Sequence, residues 1–225
     1  MSNVITVDGP AGSGKSTVSR ILARKLDYVY LDTGAMYRAV ALAAKRSGVS
    51  TEDGSKLKEL CSSLDLRYKS DEDPPRLFLN GEDISMIIRS PSMDMLSSRI
   101  SSVKEVRESM ISLQRSISSE ANIVAEGRDM GTVVFPEARH KFFLTASHEV
   151  RAERRYRERL GRGESISKDH VSEEMKKRDL QDTNRILSPL IPAKDAMLID
   201  STLLSPEEIV AEIISHLKKI SDNAV

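Results

Sequence analysis

Residues 4–18 read VITVDGPAGSGKSTV, and the fold turns on this stretch. The apolar, β-branched run at 4–7 predicts a buried strand. The next residues, Gly9-Pro10-Ala11-Gly12-Ser13-Gly14-Lys15-Ser16, match G-x-x-x-x-G-K-S/T in full. After Thr17, apolar residues fall at Val18, Ile21, Leu22 and Leu26, the spacing of one helix face. A strand, a glycine turn and a helix in this order make an anion cradle. The glycines let consecutive N–H groups curl inward, and the helix adds its free amides and positive end. Lys15 is placed to reach the β- and γ-phosphates of a nucleotide, and Ser16 to offer its hydroxyl to Mg²⁺.

Outward from this loop, short apolar runs alternate with helical patterns. Residues 28–31 (YVYL) predict a second strand, stopped by Asp32-Thr33-Gly34. Residues 35–46 predict a helix closed by Gly48. Residues 123–125 (IVA), 141–144 (KFFL) and 196–199 (AMLI) supply three more strands. The last helix opens on Ser205, Pro206 and Glu208, a capping box with proline at the first position. This alternation predicts a parallel sheet covered on both sides, with the site at the carboxyl ends of its strands. Those ends carry Gly9-Pro10, Asp32-Thr33-Gly34, Gly127-Arg128-Asp129 and Asp200-Ser201.

The stretch at 49–96 differs in texture. Asp71-Glu72-Asp73-Pro74-Pro75 is a loop signal, and Asn80-Gly81 between extended pieces predicts a hairpin. Residues 64–69 can add a third strand, so an inserted lobe with its own antiparallel sheet is expected. Residues 92–119 carry helical spacing with a break near Ser101-Ser102.

Composition bounds the function. The 225 residues are 39% apolar and carry 34 basic and 34 acidic side chains. With no net charge, there is no global field for a nucleic acid or a membrane surface. The single cysteine, Cys61, cannot form an internal disulfide and predicts a reducing compartment. No apolar run is long enough to span a membrane, and neither a signal peptide nor a repeat is visible. The arginines are nonetheless local: Arg151, Arg154, Arg155, Arg157, Arg159, Arg162, Arg178 and Arg185 lie in one segment, with Gly161 and Gly163 as hinge positions. Glu149, Glu153, Glu158, Glu164, Asp169, Glu173 and Glu174 balance them, and Tyr156 is the segment's only aromatic residue. An RNA-binding stripe is disfavoured on both counts. Part of the segment reads as a solvated hairpin with i,i+4 pairs such as Arg154 with Glu158. The rest suits a lid, because donor and acceptor phosphates need rigid cations around them. An Asn-Lys-x-Asp guanine-reading motif is missing, which disfavours a GTPase. The chain length and the insert favour a small-molecule kinase over a motor ATPase.

Four groups of residues carry a family likeness: Val7-Asp8-Gly9-Pro10; Leu31-Asp32-Thr33-Gly34-Ala35-Met36-Tyr37-Arg38; GRDMGTVVFP at 127–136; and Lys177-Arg178-Asp179 with Asp182, Asn184, Arg185 and Pro189-Leu190. On these, nearly the whole chain resembles the bacterial cytidylate kinases of the nucleoside monophosphate kinase group. The resemblance implies a single P-loop NTPase domain over 1–225. It would be a three-layer α/β sandwich on a five-stranded parallel sheet, with an acceptor-binding region at 38–107 containing the 49–96 lobe, and a helical lid at 148–185. It implies ATP as donor, Mg²⁺, and CMP and dCMP as acceptors; with the composition read above, the expectation is a cytoplasmic monomer with no nucleic acid polymer and no membrane as partner. Lys15, Arg38, Arg128 and Arg185 would act on the phosphoryl groups. Residues 9–17 would hold ATP together with an arginine of the lid, one of Arg154, Arg155, Arg157 and Arg159, with Arg157 assigned. Ser98, Arg107 and Asp129 would read cytosine, and Arg178 and Asp182 the ribose. Arg38, Arg128 and Arg185 would grip the acceptor phosphate, and Asp32 and Thr33 would line its pocket near Tyr37.

The chemistry agrees. Cytosine offers acceptors at O2 and N3 and a donor at N4, which suit arginine and aspartate. Uracil would set O4 against Asp129, a mismatch of about 1–3 kcal/mol. The acceptor's phosphate oxygen is already anionic, so no side-chain base is needed. Two rivals follow from the same residues: a kinase for another small acceptor, such as UMP or shikimate, and an ATP-gated switch with no acceptor.

Overall fold

The computed structural model describes residues 3–69, 72 and 75–222. Of the predicted loop at 71–75, Asp71, Asp73 and Pro74 lie outside the described residues. The run at 4–7 forms β1 (Val4–Asp8), and its last four residues are buried. Helix α1 (Lys15–Leu26) follows the glycine turn. Strand β2 (Val29–Asp32) leads into α2 (Thr33–Arg46). Then come α3 (Gly54–Ser63), β3 (Leu66–Lys69), β4 (Arg76–Leu79), β5 (Glu82–Asp83), α4 (Pro91–Ile100) and α5 (Lys104–Glu120). The chain closes with β6 (Ile123–Gly127), β7 (His140–Thr145), α6 (His148–Gly161), α7 (Lys168–Asn184), β8 (Met197–Asp200) and α8 (Pro206–Asp222).

Among the described residues, five strands make one sheet in the order β2-β6-β1-β7-β8, and three make a second in the order β3-β4-β5. Strand β1 runs parallel to β7, and β7 parallel to β8. The smaller sheet is antiparallel. Among the described residues, no helix is long and apolar enough to cross a membrane.

The chain divides into two compact units, one of Asn3 and residues 29–123, the other of residues 4–28 and 124–222. In the first unit α2 is apolar almost all round, the pattern of a helix wrapped by its neighbours. Ala35, Ala39, Leu42 and Ala43 pack with Leu77 and Leu79 of β4, Ile84, Ile88 and Met93. The small alanine side chains let the helix lie close to the hairpin. The β4–β5 turn is the one Asn80-Gly81 predicts: Leu79 pairs with Glu82, and both loop residues take positive φ, 51° and 86°. Asn80 also ties the turn to β3, donating from its N–H to Asp65 O and accepting from Asp65 N through Oδ1.

Helix α3 is an element that the reading at 49–96 did not name. Its signals are short: Asp53 caps it by accepting from Lys56 N, and Leu57 and Cys61, four apart, are its buried residues. The break at Ser101-Ser102 separates α4 from α5, as the spacing predicts. In the second unit the capping box is made: Glu208 accepts from Ser205 N at 2.8 Å, and Ser205 Oγ accepts from Glu208 N at 3.3 Å.

Leu77 is 3% exposed at the centre of the first unit's apolar cluster. Leu77→Ala should cost about 2–4 kcal/mol. Urea unfolding should show a lower midpoint at unchanged slope; a loss below about 1 kcal/mol would mean that the hairpin does not share this core.

Candidate active site

The glycine loop is held in shape by what its glycines lie against. Gly9, Gly12 and Gly14 all take positive φ, at 152°, 75° and 85°. A Cβ on Gly9 would lie 2.1 Å from Leu144 O, and one on Gly12 2.7 Å from Arg151 O. Both obstacles are backbone, so no side chain could be accommodated by a rotamer change. Gly14 is the N-cap of α1 and no side chain caps this end, so the helix presents its first amides at the loop. Lys15 is buried and its Nζ donates to Pro10 O at 3.1 Å, folded back across the loop. Ser16 and Thr17 are exposed in the first turn, and Ser13 is buried.

Hydrogen bonds from outside the loop complete the cradle. Ser201, just past β8, donates from Oγ to Ser13 O at 2.9 Å. Arg154 donates to Ser201 Oγ (2.9 Å) and Ser201 O (2.7 Å). Arg151 donates to Ala11 O at 3.2 Å, to Ala146 O at 3.0 Å and to Asp179 at 2.6 Å. A single buried guanidinium therefore joins the loop, the base of α6 and the middle of α7.

The arginines of 151–185 sort into three sets. Arg151 and Arg154 face the loop. Arg155, Arg157, Arg159 and Arg162 pair with glutamates: Glu158 takes both Arg155 and Arg162, Arg157 takes Glu153, and Arg159 takes Glu164 and Glu174. The expected Arg154–Glu158 pair gives way to Arg155 and Arg162, because Arg154 is turned inward onto Ser201. Arg157, expected on the donor phosphates, is 77% exposed beside Glu153, its i−4 neighbour. Arg154 Nη1 instead lies 3.8 Å from where a Cβ on Gly14 would stand. Lys168 also reaches Glu153, and Ala152, Val171 and Met175 form the apolar seam between α6 and α7.

Arg178 and Arg185 form the third set, with Arg128. Arg128 Nε donates to Asp182 Oδ2 at 3.0 Å. Arg185 Nη2 lies 3.8 Å from Asp129 Oδ1, and its Nε donates to Ser188 O. Burial works to raise the Asp182 pKa, but Arg128, Arg178 and Arg185 outweigh it and hold the carboxyl below its usual range. Five sequence-predicted residues of this unit, Arg128, Asp129, Arg178, Asp182 and Arg185, are thus one interlocked group.

Asp8 closes β1 immediately before Gly9 and is 4% exposed. Its Oδ1 accepts from Met130 N at 2.9 Å and its Oδ2 from Gly131 N at 2.8 Å. Burial pushes its pKa up to about 6 against the opposing pull of these two amides. The amides open a single π-helical turn, Met130–Val134, a rare element that recurs at functional sites.

In the unit at 29–123, Asp32 caps α2 by accepting from Ala35 N at 2.8 Å, and Thr33 is buried beside it. Arg38 projects to Asp94 of α4, with Nε and Nη2 each 3.0 Å from Oδ1. Tyr37 lies under Arg107, whose guanidinium carbon is 5.7 Å from the ring centroid. Arg107 is 4% exposed and donates to Ser101 O at 3.1 Å. Ser98 is half-buried on α4, its carbonyl taking the hydroxyls of Ser101 and Ser102. Asp32 thus caps the start of α2, and in its second turn the adjacent Arg38 and Tyr37 meet Asp94 and Arg107 respectively. The sequence reading assigned no individual role to Asp8, Asp94, Asp179, Arg151 or Ser201; it had Arg151 only among the segment's arginines and Ser201 only at a strand end. Of these, Asp8 and Ser201 stand at strand ends, where the fold class directs attention.

A family model described as Cytidylate kinase matches residues 5–219. The cytidylate kinase of Carboxydothermus hydrogenoformans is 46% identical over 218 residues, covering 97% of this chain and 98% of that protein. That of Pasteurella multocida is 44% identical over 224 residues, covering 99% of each. Among solved structures, a gluconokinase from Sinorhizobium meliloti 1021 superposes with a TM-score of 0.50 at 14% identity, covering 99% of this chain and 95% of that one. At that identity the likeness bears on the fold alone. The relatives near 45% identity, end to end, and a family match across the whole sheet bear on descent: the chain belongs to the cytidylate kinase family.

Proposed function

We propose that this chain transfers the terminal phosphoryl group of ATP to CMP, and to dCMP, yielding CDP and dCDP. The observation that carries this reading is a buried lysine on a three-glycine cradle at an uncapped helix end, in a member of the cytidylate kinase family. That cradle has the donor set a triphosphate needs: loop amides, a helix end and a cation. Residues 9–17 would bind the donor, with Lys15 leaving Pro10 O for the phosphate oxygens. Arg154, not Arg157, would be the α6 arginine nearest them. The chemistry a bound Mg²⁺ would supply here is neutralisation of phosphate charge. Its protein ligand would be Ser16 Oγ.

Each unit supports its share of acceptor binding separately. In the unit carrying β1, Asp129 would accept from the cytosine amino group, Arg178 and Asp182 would hold the ribose, and Arg128 and Arg185 would meet the acceptor phosphate. The last two are pre-aimed by Asp182 and Ser188, which lowers the ordering cost of binding. In the unit at 29–123, Arg107 and Ser98 would face the base, Arg38 the phosphate, and Asp32 and Thr33 the pocket wall near Tyr37. The nucleophile is a phosphate oxygen that is already anionic, so catalysis rests on alignment and on cations around a loose in-line transition state. The lid at 148–185 would exclude water once both nucleotides are present.

Two outcomes test this. Lys15→Ala should lower kcat for CMP-dependent ADP formation by about 10²–10⁴-fold with thermal stability little changed; near-normal turnover would remove the loop from the chemistry. Asp129→Ala should lower kcat/KM for CMP by about 10–100-fold while use of UMP falls less, since a lost hydrogen bond to the base amino group penalises only cytosine. Equal losses with the two acceptors would show that Asp129 does not read the base.

A further inference from the structure

Asp8 has no part in the mechanism above, although it is one of the most completely buried charged groups in its unit. Its carboxylate spends both oxygens on one short segment, accepting from Met130 N and Gly131 N at 2.9 and 2.8 Å. The residue just before those amides is Asp129, with Arg128 before it. Asp129 has an irregular backbone, φ −148° and ψ 24°, as the residue that opens the π-helical turn. Beyond it, Val133 N, Val134 N and Phe135 N donate back to Asp129 O, Asp129 O and Met130 O. The two amides that Asp8 takes therefore belong to the start of the turn, where helical geometry provides no backbone acceptor.

The space around the turn is also fixed. A Cβ on Gly131 would stand 3.0 Å from Thr6 Oγ1 and 3.2 Å from Lys141 Cδ, so the turn is seated directly on β1 and β7. Lys141 is in turn held by Asp195 and Pro136 O. Asp8 and Thr6, two residues apart on β1, both meet the turn at Gly131, so the segment that begins with Arg128 and Asp129 is seated on the strand by the pair of bonds to Asp8.

The geometry points to Asp8 as a positioning residue for acceptor recognition: its two-oxygen grip on Met130 N and Gly131 N sets the direction in which Asp129 meets the base and Arg128 meets the phosphate. This inference rests on the CMP kinase reading above. The ionised carboxylate is the form that suits this grip, because both its oxygens are acceptors alone. A protonated acid would set an O–H against one N–H. Asp129 opposes ionisation of Asp8 and Arg128 favours it, so the charges of the two aimed residues act back on their anchor.

Asp8→Asn keeps the size and puts an amide N–H where one acceptor stood. In the folded variant, KM for CMP should rise by about tenfold or more and the CMP-over-UMP preference should fall about fivefold or more, with KM for ATP within about twofold of the parent. A residue that served only the fold would lower stability and leave these ratios alone. An unchanged CMP KM and preference, or an equal rise in KM for ATP, overturns the inference. If the parent enzyme itself forms no ADP in response to CMP, the CMP kinase reading has failed, and the inference with it.

A second measurement needs no variant. In ¹⁵N-labelled wild-type protein, the Met130 and Gly131 amide resonances should share one titration midpoint near pH 6, the value to which burial raises Asp8. Cytidine, which has no phosphate to titrate there, should move that midpoint lower, because a ligand that prefers the ionised anchor must lower its pKa. Two amides without a shared midpoint, or a midpoint unmoved by saturating cytidine, overturn the inference even if Asp8→Asn does not fold.

Discussion

A carbonyl oxygen at the end of β7 stands where a side chain on Gly9 would begin. Leu144 O lies 2.1 Å from that Cβ position, and Arg151 O is nearly as close to the corresponding point on Gly12. The phosphate loop is therefore shaped from behind, by the backbone of the strand beside β1 and of the helix that follows it. Parallel pairing of β1 with β7 places that carbonyl, so the cradle is a consequence of strand register. The described side chains that bond to the loop or to Ser201 come from elements next to β7. Arg151 and Arg154 come from α6, which β7 feeds, and Ser201 comes from the end of β8, which pairs with β7. The loop, the neighbouring strand ends and the helical pair form one mechanical system before any nucleotide is considered.

Charge is distributed within that system by what each arginine can reach. A guanidinium with a glutamate three or four residues away, on a wet helix face, closes a local pair worth a few tenths of a kcal/mol and goes no further. Arg157, exposed beside Glu153, is of this kind. Arg151 is 8% exposed and would be costly to bury without partners, and two carbonyls and Asp179 take its Nε and Nη1 donors. Asp182 shows the same logic from the acidic side: three arginines keep it ionised despite burial. Buried ion pairs contribute little net stability, so their presence here is better understood as orientation. They fix the planes of the guanidinium groups.

Much of this was legible in the chain, and the limits have physical causes. The glycine pattern between an apolar run and a helical one identifies the cradle without further help, because no other structure needs that spacing. Asn80-Gly81 identifies the hairpin because few other dipeptides tolerate two consecutive positive φ values. Helix α3 was hidden because its buried face is only Leu57 and Cys61, too short a period to stand out among polar neighbours. The sorting of the arginines was hidden for a different reason. An i,i+4 rule sees partners along one helix, and it offered Glu158 to Arg154. It cannot see Ser201, 47 residues away, which only the pairing of β8 beside β7 brings within reach. The same holds for Asp8, whose partners lie 122 and 123 residues along the chain.

Those separations explain why the residues that touch ligand and the residues that aim them are unequally visible. Chemistry dictates the first kind: a triphosphate needs glycine, lysine and arginine, and a cytosine amino group needs an acceptor. Topology dictates the second kind. Asp8 bonds to amides that any sequence would possess, Arg151 to carbonyls that any sequence would possess, and Ser201 to another carbonyl. A side chain whose partner is main chain leaves no complementary residue type to be recognised. It betrays itself only by being charged or polar at a strand end or the base of a helix, where an apolar residue would have packed at less cost. In a fold whose site gathers at the carboxyl ends of parallel strands, that mismatch between residue type and burial is the sign that positioning is at stake.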